Sequence, residues 1–165
     1  MNYMTRKAEI EDCSAIARIY NQGIKNQVAT LETRLRTDNE MKEWLINKPE
    51  RFEVIVIENK NADISGWASL NLYNPRDCYR TIADISIYVD EKKQGQGLGK
   101  ELLKGLTRTA KDQGFHKLVL KMLSSNTIAH QLYKSAGFRQ VGVHYKHGRM
   151  NGEWIDIILM EKLLI

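Results

Sequence analysis

The sequence has few of the residues from which covalent or metal-dependent frameworks are built. Cys13 and Cys78 are the only cysteines among its 165 residues, and neither they nor the 4 histidines show the spacing of a metal site. A disulfide framework is therefore excluded, and we predict no bound metal. Residues 1–20 carry charges throughout and contain no apolar leader. This pattern predicts a cytoplasmic location.

Long apolar runs and flexible linkers are also missing. No apolar run is longer than Val54–Ile57 or Ile157–Met160, whereas a membrane helix needs roughly 20 residues. There are only 2 prolines and no low-complexity segment. With 42% hydrophobic and 27% charged residues, the composition is that of a globular protein. We therefore predict one domain over residues 1–165 and no membrane partner.

The excess of positive charge is mild. It amounts to +5, from 25 Lys and Arg against 20 Asp and Glu. Such a balance is compatible with a nucleic acid, with an anionic small molecule or with no special partner. Because no nucleic-acid-reading motif is present, we predict that nucleic acid is not a partner.

The period of the apolar residues changes several times along the chain. Helical spacing is found at 10–24, with Asp12 as candidate N-cap, at 37–45 after a capping box, from Leu98 to Gly114 and at 127–136. An initial strand is expected before them, and strand patterns occupy 52–57, 64–72, 80–89, 117–123, 138–146 and 154–161. Three strands in a row are incompatible with a doubly wound sheet. The predicted class is α+β, with a mixed, mostly antiparallel sheet of about seven strands flanked by helices.

A glycine-rich loop lies between a predicted strand and an amphipathic helix. It reads Gln94-Gly95-Gln96-Gly97-Leu98-Gly99-Lys100. Glycines allow a ligand to approach the backbone, and a helix N-terminus attracts anions, so the loop can cradle a pyrophosphate. The surrounding basic residues are Lys92, Lys93, Lys100, Lys104, Arg108 and Lys111. The loop matches neither a P-loop nor a dinucleotide fingerprint, and a turn without a ligand is the alternative.

Two separate blocks resemble one family. The loop 94–99 is similar to the Q/R-x-x-G-x-G/A motif of the GNAT superfamily of N-acetyltransferases, and 126–138 resembles its N-x-x-A-x-x-L-Y-x-x-x-G-F block. Further segments resemble the phosphinothricin acetyltransferase branch. They are 29–32, 76–81, 145–148 and 154–156. Together these elements extend over nearly the whole chain.

The resemblance implies the GNAT fold and a reaction. Members of the branch transfer an acetyl group from acetyl-CoA to the α-amine of an amino acid or analogue, such as phosphinothricin or methionine sulfone or sulfoximine, by direct attack in a ternary complex. The implied cofactor-binding residues are Ile87, Tyr88, Val89, Gln94, Gly95, Gln96, Gly97, Leu98, Gly99, Lys100 and Asn126. A backbone N–H near Val89 is expected to polarise the thioester carbonyl.

Two catalytic residues follow from the same resemblance. Asp84 stands where the branch carries glutamate and is the expected base, acting directly or through a water molecule. Tyr133 is the expected proton donor to the departing thiolate. The alternatives without a role in catalysis or cofactor binding are a solvated or paired Asp84, a packing role for Tyr133 and a simple N-cap role for Asn126.

The acceptor is expected to be an anionic amino acid bound by residues near the third-to-fourth strand turn and in the segment after the first helix. These are Thr30, Leu31, Glu32, Arg76, Tyr79 and Arg80, although the arginines can equally be surface residues. His147 is a further candidate, and a solvated histidine is its alternative. The branch implies a homodimer, with 154–160 as the expected interface. Protein N-termini, polyamines or aminoglycosides as acceptors, or a silent acyl-CoA-binding module, are the competing hypotheses.

Overall fold

The computed structural model describes residues 3–165, so the first two residues of the expected domain lie outside the described part. The strands are β1 (Tyr3–Lys7), β2 (Val54–Asn59), β3 (Ile64–Leu72), β4 (Ile82–Val89), β5 (Lys117–Leu123), β6 (Arg139–Met150) and β7 (Glu153–Leu163). The helices are α1 (Cys13–Asn26), α2 (Asp38–Asn47), α3 (Leu98–Asp112) and α4 (Thr127–Ser135). The predicted order of strands and helices is confirmed.

The strands form a 7-stranded sheet in the order β1-β2-β3-β4-β5-β7-β6. Its neighbours are antiparallel except β4 and β5, which run parallel. The predicted mixed, mostly antiparallel sheet is therefore confirmed. A parallel pair needs a long crossover, and α3 supplies it between β4 and β5.

The parallel pair separates soon after it forms. Its register begins at Ile82 and Lys117 and ends at Asp84 and Val119, although β4 continues to Val89 and β5 to Leu123. The two strands therefore diverge at their carboxyl ends. This divergence opens a cleft in the centre of the sheet, and Asp84 lies where the cleft begins.

The two faces of the sheet carry different helices. Ala83 and Ile85 of β4 point into the core that contains Leu102 and Leu106 of α3. Trp67 of β3 points to the opposite face, into the core that α1 and α2 cover. Because side chains alternate along a strand and the register pairs Asn71 with Asp84 and Trp67 with Tyr88, these residues share the α1–α2 face.

The helix starts test two capping predictions. The capping box of Thr37 and Glu40 is present at the start of α2. Asp12 occupies the N-cap position of α1, as predicted, but its carboxylate makes no capping bond to the helix. Instead it binds the Arg6 guanidinium at 2.7 Å and accepts the Glu9 amide at 2.8 Å. A charged partner from β1 thus takes the carboxylate away from the helix end.

No helix within residues 3–165 is long and apolar enough to cross a membrane.

Candidate active site

The glycine loop presents a run of free backbone amides at the start of α3. Gly95 and Gly97 have φ of 76° and 80°, which other residues rarely adopt. Within residues 3–165, none of the amides of residues 94–99 donates to a backbone or side-chain acceptor. A Cβ built on either glycine meets nothing within 4 Å, so open space lies beside them. Exposed N–H groups at a helix N-terminus suit an anion, and phosphate in particular.

The loop is fixed to α1 through Asp90. Its carboxylate pairs with Arg18 and accepts the Lys92 amide at 3.0 Å, and these contacts lower the pKa of Asp90. Gly99 has a different role from the other glycines, since a Cβ there would lie 3.0 Å from Leu132 of α4. The loop is therefore held in position by packing and by ionic contacts on its protein side.

The β4 edge of the cleft offers unpaired backbone groups. The Asp90 amide donates to the Ser65 carbonyl of β3, at 2.9 Å. In an antiparallel ladder, every second residue pairs with the same neighbour, so the N–H groups of Ile87 and Val89 point away from β3, into the cleft. Beyond Asp84, β4 has no strand partner on that side in the described part of the chain. An extended ligand can add to this edge.

Asp84 is the titratable group at the start of the cleft. Burial raises the pKa of its carboxyl from 3.8 to about 6, and the positive charge of Lys121 opposes this rise. Lys121 follows Val119, the partner of Asp84, by two residues on β5 and so lies on the same face. A carboxylate with a pKa near neutrality can both accept a proton and release it, as a general base must.

Tyr133 reaches the cleft from the other face of the sheet. The residue is 7% exposed, belongs to the α3 core and packs edge-on against Phe138 with ring centroids 5.6 Å apart. Burial and the negative charge of Asp84 both raise the pKa of its hydroxyl. It therefore keeps its proton near neutral pH and can donate a hydrogen bond. Its packing role and its position near Asp84 coexist.

A cavity of about 310 Å³ opens on the α1–α2 face. Asp84 is not one of its lining residues, but its β3 partner Asn71 and its neighbour along β4, Ser86, both are. Its lining residues come from α1, from the segment before α2, from α2 and from β3 and β4: Tyr20, Arg36, Glu40, Met41, Trp44, Trp67, Ser69, Asn71, Ser86 and Tyr88. Tyr88 stacks on Trp67 at 4.8 Å and meets Tyr20 edge-on at 5.0 Å. With four aromatic residues among the ten that line it, a cavity of this size suits a small molecule with a few polar groups.

The segment 27–36 forms one wall of the site. Thr30 interacts with the hydroxyls of Tyr20 and Tyr88, and Glu32 pairs with Arg36 at 2.9 Å. Leu31 instead packs on β6, where a Cβ on Gly148 would lie 2.8 Å from it. Of this segment, Arg36 lines the cavity; Thr30 and Glu32 contact residues that line it, and Leu31 packs on β6 instead.

Asn126 acts as a helix cap and as a tether. Its Oδ1 accepts the Ala129 amide at 3.1 Å at the start of α4, and its Nδ2 donates to the Val28 carbonyl at 2.9 Å. The residue thus ties the segment 27–36 to the β5 side of the cleft. Its N-cap alternative is confirmed.

The other predicted acceptor residues lie outside the cavity. Arg76, Tyr79 and Arg80 are in the connection before β4, and none of the three is among the lining residues. Arg80 lies 3.7 Å from Asp77, with its side chain 70% exposed. His147 is exposed on β6 and stacks on His144 with centroids 4.4 Å apart. The cation on the cavity wall is Arg36.

Several residues of the site were not found by sequence reasoning. Tyr20, Arg36, Trp67, Ser86 and Lys121 come from five separate segments and match no motif. The alternation of β4 carried one usable signal, because it places Ser86 and Tyr88 on the face of Asp84. Tyr88 was assigned a backbone role alone, whereas its ring is part of the cavity.

Residues 3–165 contain no group of three or more His, Cys, Asp or Glu side chains that could hold a metal.

The family model of the GNAT acetyltransferases matches residues 14–138, which include the cleft, the glycine loop and α4. The chain belongs to the GNAT acetyltransferase family.

The chain is similar to several acetyltransferases whose acceptors are named. The chain is 31% identical to the L-methionine sulfoximine/L-methionine sulfone acetyltransferase of Salmonella typhimurium, over 94% of this chain and 91% of that protein. It is 29% identical to an L-amino acid N-acyltransferase of Escherichia coli, over 94% and 91% respectively. A phosphinothricin acetyltransferase of Sinorhizobium meliloti, solved with acetyl-CoA, superposes with a TM-score of 0.93 at 25% identity, covering 99% of this chain and 89% of that one.

Proposed function

We propose that this protein transfers an acetyl group from acetyl-CoA to the α-amine of an amino acid or amino-acid analogue, by direct attack in a ternary complex. The observation that carries the proposal is the position of Asp84. This half-buried carboxyl has a pKa of about 6, lies where the cleft begins, raises the pKa of Tyr133, and faces Asn71, a residue of the cavity lining, across the β3–β4 ladder. The relatives that act on amino acids and their analogues support the choice of acceptor.

Acetyl-CoA fits the residues on the cleft side. The free amides of residues 94–99 and the open space beside Gly95 and Gly97 suit its pyrophosphate, and the unpaired edge at Ile87 and Val89 suits its amide-containing arm. Lys92, Lys93 and Lys100 give this side a positive rim. When bound, the cofactor supplies an acetyl group activated as a thioester.

Three groups of the site have separate roles in the proposed transfer reaction. Asp84 accepts a proton from the acceptor's ammonium group and leaves a neutral amine able to attack. The Val89 amide donates a hydrogen bond to the carbonyl oxygen as negative charge develops on it. Tyr133 donates from its hydroxyl to the departing sulfur. Because both faces of the sheet meet at the cleft, Asp84 and Tyr133 serve the amine and the sulfur from opposite sides.

The acceptor occupies the cavity, in this proposal. Arg36, which pairs with Glu32, lines the cavity, and Arg76, Tyr79 and Arg80 lie outside the lining, where they are expected to guide an anionic acceptor from the surface. Arg76 and Arg80 in the connection before β4 favour an anionic amino acid over a polyamine or an aminoglycoside.

A thiol-release assay tests the proposed reaction. Acetyl-CoA is supplied with methionine sulfone, methionine, phosphinothricin, spermidine, an aminoglycoside or an N-terminal peptide. We expect turnover with the amino acids and a product acetylated on the α-amine by mass spectrometry. Turnover confined to the polyamine, the aminoglycoside or the peptide would contradict the acceptor class. Acetyl-CoA binding without turnover of any acceptor would contradict the enzymatic activity.

We also propose a cytoplasmic homodimer built through the β6–β7 hairpin. Tyr145 and Trp154 on this hairpin are 78% and 56% exposed, and Arg149 lies over the Trp154 ring at 5.3 Å. Aromatic residues and arginine are enriched in interfaces. Light scattering on the protein and on Trp154→Lys should give a dimer and a monomer; a monomeric parent protein would contradict this proposal.

A further inference from the structure

A chain of polar side chains crosses the floor of the cavity. Asn71 Oδ1 accepts from Lys48 Nζ at 3.0 Å and from Ser69 Oγ at 3.1 Å. Asn71 Nδ2 in turn donates to Ser86 Oγ at 3.2 Å. Lys48 is the C-cap residue of α2. Its Nζ makes a second hydrogen bond, to the Leu70 carbonyl at 2.8 Å. The chain therefore runs from α2 across β3 to β4.

The direction of these hydrogen bonds is set at the Lys48 end. An ammonium group can only donate, so the asparagine atom facing it must be the oxygen. Burial lowers the pKa of Lys48 to about 8, and the group is therefore protonated at neutral pH. The Asn71 amide must consequently turn its NH2 group to Ser86. Ser86 Oγ accepts this bond, and its own proton is left free.

The free proton of Ser86 lies inside the acceptor cavity. Ser86 lines the cavity, and within residues 3–165 its hydroxyl has no partner other than Asn71. The buried Trp67 Nε1 also lacks an acceptor in the described part of the chain. Ser86 is only half-buried, so its proton is open to a ligand in the cavity, whereas the Trp67 donor is buried and costly without an acceptor. A ligand group that offers lone pairs can accept from the Ser86 hydroxyl.

The spacing along β4 decides which part of the acceptor is near Ser86. Ser86 follows Asp84 by two residues on the same face, a separation of about 7 Å. The α-amine must be within reach of Asp84. A carboxylate on the adjacent carbon stays close to the amine, whereas the end of a side chain can extend to Ser86.

We propose that Ser86 is a specificity residue that donates a hydrogen bond to an oxygen on the acceptor's side chain, and that Lys48 and Asn71 are positioning residues that orient it. The oxygen belongs to a group that only accepts, such as a sulfonyl or phosphinyl group. This inference rests on the proposed function and assigns recognition within the same site.

Methionine sulfone and methionine form a matched pair of acceptors, because they differ only in the two oxygens on sulfur. We compare kcat/KM for both with the full-length protein near pH 7. Wild type should prefer the sulfone by more than about tenfold, as expected when a site built to hydrogen-bond is offered a ligand without the group. Ser86→Ala should lower this preference about tenfold by raising KM for the sulfone, with methionine little changed, and Ser86→Thr should restore it.

Asn71→Asp tests the direction of the chain rather than its presence. The new carboxylate can only accept hydrogen bonds, so the Ser86 hydroxyl donates to it. That hydroxyl is then no longer available to donate to the ligand. The preference for the sulfone should fall about as far as in Ser86→Ala. The new charge can also affect Asp84 and, through it, deprotonation of the α-amine. Because both acceptors carry the same α-amine, this effect cancels in the ratio of their kcat/KM values. Lys48→Met should lower the preference about threefold, and Lys42→Met, on the exposed side of α2, is the matched control.

Each outcome has a distinct meaning. Equal loss with both acceptors in Ser86→Ala, or an unchanged preference in Asn71→Asp, would overturn the inference. A wild-type enzyme that acetylates both acceptors without preference would overturn it as well. A wild-type enzyme that acetylates neither of the two would overturn the inference, and one that acetylates no amino acid or analogue at all, phosphinothricin included, would overturn the proposed function as well.

Discussion

The two halves of the site, which we call the cradle and the cavity, are built in opposite ways. The cradle is one short segment, residues 94–99, and it offers backbone amides and empty space. The cavity is assembled from residues 20 to 88, and it offers aromatic rings, hydroxyls and charges. A cofactor with a constant phosphate group can be bound by backbone alone. An acceptor has to be told apart from its analogues, which requires side chains.

The largest expected effect concerns the cavity side. Asp84→Asn should lower kcat about a thousandfold, since a positioned general base contributes between two and four powers of ten. Wild-type kcat should rise with pH through about 6, where Asp84 loses its proton, and the variant should lack this limb. Steady-state kinetics across pH measures both. Asp112→Asn, on the exposed end of α3, is the control, and a retained limb would remove Asp84 from the mechanism.

The same substitution should stabilise the fold. A raised carboxyl pKa means that the native state holds its proton more tightly than the unfolded chain, so wild-type stability falls as pH rises from about 4 to about 6. Asp84→Asn removes this cost and should increase the free energy of unfolding by about 3 kcal/mol at pH 8. Near pH 4 the gain should vanish. Urea unfolding at both values tests this, and a gain independent of pH would contradict it.

In the cradle, a change of backbone conformation should matter most. Gly97→Val should weaken acetyl-CoA binding about thirtyfold, because a β-branched residue resists a φ of 80° and its side chain fills the space left for the ligand. No protein atom lies within 4 Å of the new Cβ, so clash within the protein is not the cause. Calorimetry measures the affinity. Gly152→Val, at a φ of 83° in the β6–β7 turn, is the matched control.

Tyr133 should show a smaller effect because it assists departure of the sulfur without carrying the first proton transfer. Tyr133→Phe should lower kcat about tenfold, as expected for the loss of one hydrogen bond to a charged group, with KM for acetyl-CoA little changed. Tyr73→Phe, an exposed tyrosine before β4, is the control. Equal kcat values for Tyr133→Phe and wild type would leave Tyr133 a packing residue.

The smallest expected effect sharpens the contrast between the two halves. Gln96→Ala should change the KM for acetyl-CoA less than about twofold, because the cradle binds through its backbone and Gln96 is exposed. A tenfold increase in KM would show that the cradle, like the cavity, depends on side chains.

Local patterns were enough to predict most of the secondary structure. The capping box at Thr37, the strands 64–72 and 117–123 and the helix beginning at Leu98 are all reproduced, since each depends on residues close in sequence. Asp12 shows where such reasoning fails. Its carboxylate fits an N-cap, but Arg6 from β1 binds it instead. Arg6 is only six residues away in the sequence, but the capping pattern gives no sign that the preceding strand places its guanidinium beside this carboxylate.

The sequence by itself determined the order of strands and helices, the glycine loop and the family resemblance, because spacing and residue type express backbone requirements directly. Tertiary structure decided where β4 and β5 part, which places Asp84 and Tyr133 on either side of one cleft. It also decided that Lys48, Asn71 and Ser86 lie in one hydrogen-bonded chain. The direction of a hydrogen bond depends on what faces each group, and only the folded sheet brings these groups together.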